Sequence, residues 1–441
     1  MAKNIISAVD VASSKICIVI SSIDEENPDK PTVIGVATVL SKGIKNGVIV
    51  NIDQAMNSIT EALDAAERMS GITIYSAIVS INGKHIISNN AKGVIAVGHH
   101  EEISQTDVDR VLESAKTFAM PDGREIIHVS SREFIVDGQG GIKQPVDMSG
   151  TRLEVEAHII SATTTAVHNL RKCFQQIGLG IDAIVFSGFA SGKAVLTDTE
   201  KELGVMLLDI GKGTTDITIF QEDSIAYSGC ILFAGAALTN DLAIGLRLSI
   251  EDAEKLKLNL SELFSRQHKK QIIGSDVPSF LKKDEQNKIK DETPEDDDLI
   301  DVTHLNIANT EKLSRHMIEE IVDARIEEVL EMVSSEVSRA GFDFRQPAGI
   351  VVTGGTANLA NITKLIQKHM GVPARVGYPN GLDGLVDEIA GPAYATVQGL
   401  IVRGLDLGID ESVGSRRNQN GSGNMGGVLQ KVTGWFKNLM P

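Results

Sequence analysis

The chain has 441 residues, a formal charge of −17 and a pI near 5.1. That length supports more than one lobe with its own core, and that charge excludes an extended nucleic-acid-binding surface. Its three cysteines, Cys17, Cys173 and Cys230, lack metal-ligand spacing. No run approaches the roughly 18 apolar residues of a membrane-spanning helix, and no basic-then-apolar signal pattern opens the chain. The expectation is a cytoplasmic protein with buried free thiols.

In chain order, Asn4 to Val9 reads as an apolar strand ending at Asp10, followed by a small turn, Val11-Ala12-Ser13-Ser14-Lys15, and a returning strand, Ile16 to Ile20. Thr32 to Leu40 is another strand, and Gly43 and Gly47 punctuate a turn. The spacing of Ile52, Met56, Ile59 and Leu63 predicts a helix over 51–69. After a strand at 72–81, residues 82–162 change character: short strands and one helix (105–118) read as an inserted α+β domain. Helix 163–177, strand 181–186 and a small-residue helix, 188–196, return to the first pattern.

The stretch Leu203 to Phe220 repeats the opening hairpin more strongly. An apolar run ends at Asp209, Gly211-Lys212-Gly213-Thr214-Thr215 forms a tip, and Ile217 to Phe220 alternates. Glycines flanking one residue let backbone N–H groups converge on an anion. Thr214 and Thr215 add hydroxyls, and Asp209 places a carboxylate where a phosphate-bound metal would sit. Such a hairpin alone is equally an ordinary turn; its second copy at Asp10 points to two lobes with a ligand cleft between them.

Residues 240–264 read as helical, with Glu254 and Lys257 on neighbouring turns, and 280–301 as a charged, solvated loop. Residues 310–339 read as one amphipathic helix with Leu313, Met317, Ile321, Ile326, Val329 and Leu330 as its core face. A strand then opens through Gly354-Gly355-Thr356 into a predicted helix whose N–H groups would face a ligand. Residues 391–400 are a second small-residue helix. His99-His100 and Asp296-Asp297-Asp298 lack metal-site spacing and read as solvated loops.

A polar, Gly/Ser/Asn/Arg-rich tether spans 411–424. From Met425, apolar residues Val428, Leu429, Val432, Trp435, Phe436, Leu439 and Met440 fall on one helical stripe, with Lys431 and Lys437 off it. That composition suits a helix lying in a lipid headgroup plane; the alternative is docking on the protein's own core. Gly426, Gly427 and Gly434 weaken the free helix, so it is expected to fold on lipid.

In order, Asp10–Lys15, Asp209–Asp216 and Thr353–Thr356 resemble the phosphate 1, phosphate 2 and adenosine motifs of the superfamily of actin, hexokinase and heat-shock chaperone ATPases. Helices 188–196 and 391–400 resemble its inter-lobe connectors. Within it, the chain is similar along nearly all its length to the FtsA family of bacterial cell-division proteins, notably through Asp137-Gly-Gln-Gly-Gly-Ile-Lys-Gln-Pro145 and Met148 to Glu154. The resemblance implies an α/β, actin-like two-lobed ATP-binding fold with an inserted small α+β domain and a C-terminal amphipathic helix. It divides the chain into a first lobe (1–81, 163–195, 391–405), the insertion (82–162), a second lobe (196–240, 335–390) with a subdomain (241–334) carrying an acidic loop (284–301), a linker (406–424) and the terminal helix (425–441).

By the same resemblance Asp10 and Asp209 hold Mg²⁺ through water. Ser13, Ser14, Lys15, Gly211, Lys212, Gly213, Thr214 and Thr215 surround the phosphates of ATP. Gly354, Gly355 and Thr356 line the adenosine side, and Glu254 and Lys257 meet the adenine or ribose. Ala12 and Lys212 stand where the family usually has glycine, and Ser187 stands where hydrolysing relatives place a water-orienting Glu or Gln, which implies slow turnover. Implied partners are the C-terminal peptide of the tubulin-like protein FtsZ, further copies of the chain in filaments, other division proteins and anionic lipid at the cytoplasmic face of the inner membrane. Arg315 and Arg325 are candidates for the FtsZ peptide, or ordinary surface charges. A pilus-assembly actin-like protein and a small-molecule kinase are the alternatives.

Overall fold

The computed structural model describes residues 4–24, 27–98, 102–119, 122–275, 298–308, 310–409 and 411–412. The histidine pair at 99–100, nearly all of the acidic loop and the predicted amphipathic helix at 425–441 lie outside the described residues.

Two sheets repeat one plan. In the first lobe, strands Asn4–Val11, Lys15–Asp24 and Asn27–Leu40 form an antiparallel meander. Ser76–Ile81 then joins Asn4–Val11 in parallel, and Gly180–Phe186 joins Ser76–Ile81 in parallel. In the second lobe, Val205–Ile210, Thr215–Gln221 and Ser224–Ile231 repeat the meander. Ile350–Thr353 and Ala374–Val376 repeat the parallel additions. The register is equivalent too, with Asp10 opposite Cys17 and Asp209 opposite Asp216. Both central strands are buried on both faces, which explains apolar runs without clean alternation. All three cysteines are buried and free.

Helix Ile52–Ser70 is capped by the Asn51 side chain and ended by Gly71 at φ 69°. Its most buried stripe is Ala55, Ser58, Ile59, Ala62 and Ala66, with the expected Ile52, Met56 and Leu63 packed half-buried against the same core. Small residues prevail because the helix lies close on the sheet: a Cβ at Gly35 would sit 2.7 Å from the Ala66 carbonyl oxygen. The insertion is a four-stranded antiparallel sheet, built on Ile87–Ala96, Arg152–Thr163, Arg124–Val136 and Gln139–Ile142, with helix Gln105–Ala119 packed against it.

Other boundaries moved for identifiable reasons. The helix expected over 240–264 is two helices, Gly235–Leu246 and Ile250–Ser275, separated by Arg247 in a left-handed conformation (φ 56°). The helix expected from residue 310 begins at Arg315, because Lys312–Ser314 pairs with Leu299–Asp301 and Ser314 caps the helix. Leu313 therefore reaches the core from a strand, and Met317 is 46% exposed. Gly354 and Gly355 lead into a 3-10 turn, Gly355–Asn358, with helix Ile362–Met370 starting only later. The second connector opens with a 3-10 turn, Pro392–Tyr394, and continues as helix Ala395–Asp406.

The connectors, Ser187–Val195 and Ala395–Asp406, cross with their backbones touching. A Cβ at Gly399 would lie 1.7 Å from the Ala190 carbonyl oxygen, so only glycine fits the crossing. This fixed crossing sits beneath the cleft between the lobes.

Candidate functional site

A cleft of about 530 Å³ lies between the lobes, walled by both aspartate hairpins, the Gly354–Gly355 turn and the start of each connector. Of the sequence-predicted residues, Asp10, Ser13, Ser14, Lys15, Asp209, Gly211, Lys212, Gly213 and Thr214 line it, together with Glu254, Lys257, Gly354, Gly355 and Thr356. Thr215 does not. It follows Thr214 onto a strand, where side chains alternate, so its buried hydroxyl points away and donates to the Phe233 carbonyl at 2.6 Å.

The carboxylates are buried and held by hydroxyls. Ser80 Oγ donates to Asp10 Oδ1 at 2.8 Å, and Asp209 Oδ2 accepts from Ser191 Oγ (2.5 Å) and Thr396 Oγ1 (3.1 Å). Ser191 and Thr396 belong to different connectors, so both connectors grip one carboxylate. Asp216, opposite Asp209, also lines the cleft, and its Oδ1 is buried without a hydrogen-bond partner.

Burial pushes the Asp10 carboxyl up to about 6, against the bond from Ser80 and the charge of Lys15, with Asp209 adding to the rise. Burial likewise raises Asp209, and burial with the neighbouring Asp209 charge raises Asp216 well above the carboxylate range. Three such carboxylates, one with an orphaned oxygen, fit a divalent cation, which removes the cost of their charge. No three His, Cys, Asp or Glu side chains among the described residues are arranged to ligate an ion directly. The set therefore fits an ion held through water and ligand oxygens, the usual habit of Mg²⁺.

Between Asp10 and Asp209, Lys15 stands with its ammonium 3.0 Å from the Tyr394 ring centroid. Ser13 Oγ accepts from Gly47 N at 2.9 Å, which leaves the hydroxyl proton free to donate into the cleft. On the opposite hairpin, the Gly211 carbonyl accepts from Gly235 N and Thr356 Oγ1, each at 3.0 Å, tying the tip to the Gly354–Gly355 turn. Gly354, at φ 85°, comes so close that a Cβ would lie 2.4 Å from Asp209 Oδ1. Farther out, Lys257 donates to Glu254 (2.7 Å) and Thr239 (2.8 Å). Burial raises the Glu254 carboxyl, but the bonds from Lys257 and Thr239 outweigh it and leave the group below its ordinary value. The Lys212 side chain is exposed at the rim.

Asp216, Asn82, Ser191 and Thr396 escaped the assignment of roles from sequence. Asp216 had a signal, since it mirrors Asp209 across the hairpin; the others are single polar residues in apolar or small-residue stretches.

The two arginines separate. Arg325 is bound within the protein, to Asp241 through Nε and Nη2 and to Glu328 through Nη1. Arg315 bonds Glu319 at 2.8 Å and packs over Phe264, and it lines a separate groove with His316, Lys364 and Leu365.

Residues 206–399 match the family model described as "Cell division protein FtsA", and residues 83–161 match "SHS2 domain inserted in FTSA". The FtsA of Pseudomonas aeruginosa is 34% identical over 400 residues, covering 91% of this chain and 89% of that protein. The FtsA of Bacillus subtilis is 35% identical over 395 residues, covering 89% and 82%. Among solved structures, the PilM-PilN type IV pilus biogenesis complex has a similar fold (TM-score 0.59, 14% identity, 91% of this chain and 98% of that one). The fold is actin-like with an SHS2 insertion, and the chain belongs to the FtsA family of bacterial cell-division proteins.

Proposed function

We propose that the cleft binds ATP with Mg²⁺ and that the protein is a membrane-tethered, filament-forming scaffold at the division site. The observation that carries the nucleotide reading is the convergence of Asp10, Asp209, Asp216 and Lys15 between two hairpin turns at the base of one cleft. Mg²⁺ would be held through water by Asp10 and Asp209, and would neutralise phosphate charge. Ser13, Ser14, Lys15 and Thr214 would meet the phosphates, and Gly354, Gly355, Glu254 and Lys257 the nucleoside. Titration calorimetry tests this directly: ATP should bind in Mg²⁺ and weaken sharply in chelator. No heat in either condition would refute the reading.

Slow turnover follows from Ser187, a buried hydroxyl where an amide or carboxylate would orient water. Nucleotide then acts as an assembly ligand more than as fuel. The terminal segment 425–441 would anchor the protein to anionic lipid on the cytoplasmic face of the membrane, and the second-lobe subdomain would take the FtsZ C-terminal peptide. Family kinship over about nine-tenths of the chain favours this scaffold over the pilus-assembly or kinase readings.

For the peptide, the groove beside Arg315 supports a narrower assignment than the sequence allowed. Lys364, Lys368 and His316 add positive or protonatable groups there beside the carboxylates of Glu319, Glu320 and Asp323, and Phe264 and Leu365 add apolar floor. Arg315→Glu with Lys364→Glu should weaken an acidic FtsZ peptide about tenfold or more, since two charge-assisted contacts each contribute on the order of 1 kcal/mol. Arg325→Glu should instead lower thermal stability, because it faces Asp241 and Glu328. Fluorescence anisotropy and thermal melts on the same variants separate the two effects. Unchanged affinity in the double variant would remove the groove.

A further inference from the structure

We propose that Tyr394 is a positioning residue for the phosphate site. Its ring holds the Lys15 ammonium off the neighbouring carboxylates, which leaves the carboxylates open to the metal and the ammonium open to the phosphates. This rests on the ATP reading above.

The ion pair that the ring prevents is within reach. Strands Asn4–Val11 and Lys15–Asp24 are antiparallel, with Asp10 opposite Cys17 and Val11 opposite Ile16. Lys15 lies two residues before Cys17, so its side chain leaves the sheet on the same face as Asp10, one diagonal step away. Diagonal neighbours sit about 7–8 Å apart, a span that long side chains bridge. Lys15 is also close enough to act on the charge of both Asp10 and Asp209. Yet among the described residues its ammonium forms no ion pair and no hydrogen bond. What it touches is the Tyr394 ring, with Nζ 3.0 Å from the centroid.

The difference matters to a ligand. A salt bridge would satisfy one buried carboxylate from within the chain and fill the place of the cation. An aromatic face attracts the ammonium but supplies no acceptor oxygen, so its three N–H donors stay available for phosphate oxygens. Lys15 lines the cleft and Tyr394 does not, so the ring backs the lysine and leaves the ligand's side clear. The ring is itself anchored. Tyr394 N bonds the Gly391 carbonyl at 3.0 Å, and the Pro392 carbonyl accepts from Gly354 N and Thr353 Oγ1, each at 3.1 Å. Two residues on, Thr396 bonds Asp209. Tyr394 therefore stands on a turn tied both to the Gly354–Gly355 loop and to a carboxylate from which it withholds Lys15.

The test uses the full-length protein, with Mg²⁺-ATP affinity measured by titration calorimetry and folding checked by thermal melts without nucleotide. Tyr394→Phe keeps the ring face and should bind within about twofold of wild type. Tyr394→Leu should weaken binding about tenfold, the order of one desolvated cation–π contact. Fluorinated phenylalanines at position 394 keep the ring's shape while draining its negative face, and affinity should fall stepwise with each added fluorine. That series decides the question if the leucine variant fails to fold. In a Lys15→Met background Tyr394→Leu should have no further effect, because the ring acts only through the ammonium. A merely packing role would weaken binding in both backgrounds. Unchanged or tighter binding in the leucine and fluorinated variants, an equal loss in the Lys15→Met background, or a loss in Tyr394→Phe as large as in Tyr394→Leu would each overturn the proposal. Absence of ATP binding to the wild type would instead remove the nucleotide reading beneath it.

Discussion

Asp10→Asn should make the nucleotide-free protein more stable at pH 7.5 and, in the same step, weaken its grip on Mg²⁺-ATP. Burial holds the folded Asp10 carboxyl near 6, above its ordinary value of 3.8. Below about pH 4 the group is protonated in both folded and unfolded chains, so it adds no penalty. Between about pH 4 and pH 6 the folded protein keeps a proton that the unfolded chain has released, so stability falls across that window and stays at the lower level above it. The difference corresponds to roughly 3 kcal/mol above pH 6, at about 1.4 kcal/mol per pKa unit. Asparagine keeps an oxygen to accept from Ser80, so the substitution removes the charge and retains the hydrogen bond. Wild type and variant should therefore melt together near pH 4 and diverge in the variant's favour by pH 7.5. Mg²⁺-ATP affinity should fall by about 10–100-fold, the range for losing a group that orders a metal's water shell. A variant less stable than wild type at pH 7.5 would show that the Asp10 charge is compensated without a cation.

That trade is legible only in part from the chain. The hairpins announce themselves because strand, aspartate, small turn and returning strand are contiguous, and their local chemistry sets their geometry. The connectors were legible as runs of small residues, because two backbones that touch at Ala190 and Gly399 admit nothing larger. What grips Asp209 was not: Ser191 is 18 residues away and Thr396 is 187 away, and neither stands out in its own helix. Thr215 failed for a local reason, since one step along a strand reverses the side chain. The ion pairing of Arg325 was hidden for a tertiary one. On a helical wheel it is a surface cation, and only the fold brings Asp241 from 84 residues away to neutralise it.

Deleting residues 425–441 should abolish co-sedimentation with anionic vesicles while leaving ATP affinity unchanged. The sequence carries this expectation through charge. A chain at −17 is repelled by an anionic surface, so attachment has to come from a segment whose apolar contribution exceeds that repulsion. Val428, Leu429, Val432, Trp435, Phe436, Leu439 and Met440 supply one apolar stripe, and Lys431 and Lys437 add about 1 kcal/mol each near anionic headgroups. Burying even half of the stripe's side chains, at about 1.5–3 kcal/mol apiece, outweighs the lysine contribution several-fold before the ordering of the segment is subtracted. Insertion, not charge, should therefore dominate. Trp435→Glu with Phe436→Glu, which keeps both lysines, should release the protein from vesicles as completely as the deletion does. Raising salt to 0.5 M should weaken wild-type binding only modestly, because screening acts on the lysines and equally on the repulsion from the acidic body. Full retention by the deletion variant would place the lipid contact elsewhere on the protein. Retention by the glutamate pair alone would make the lysines the anchor.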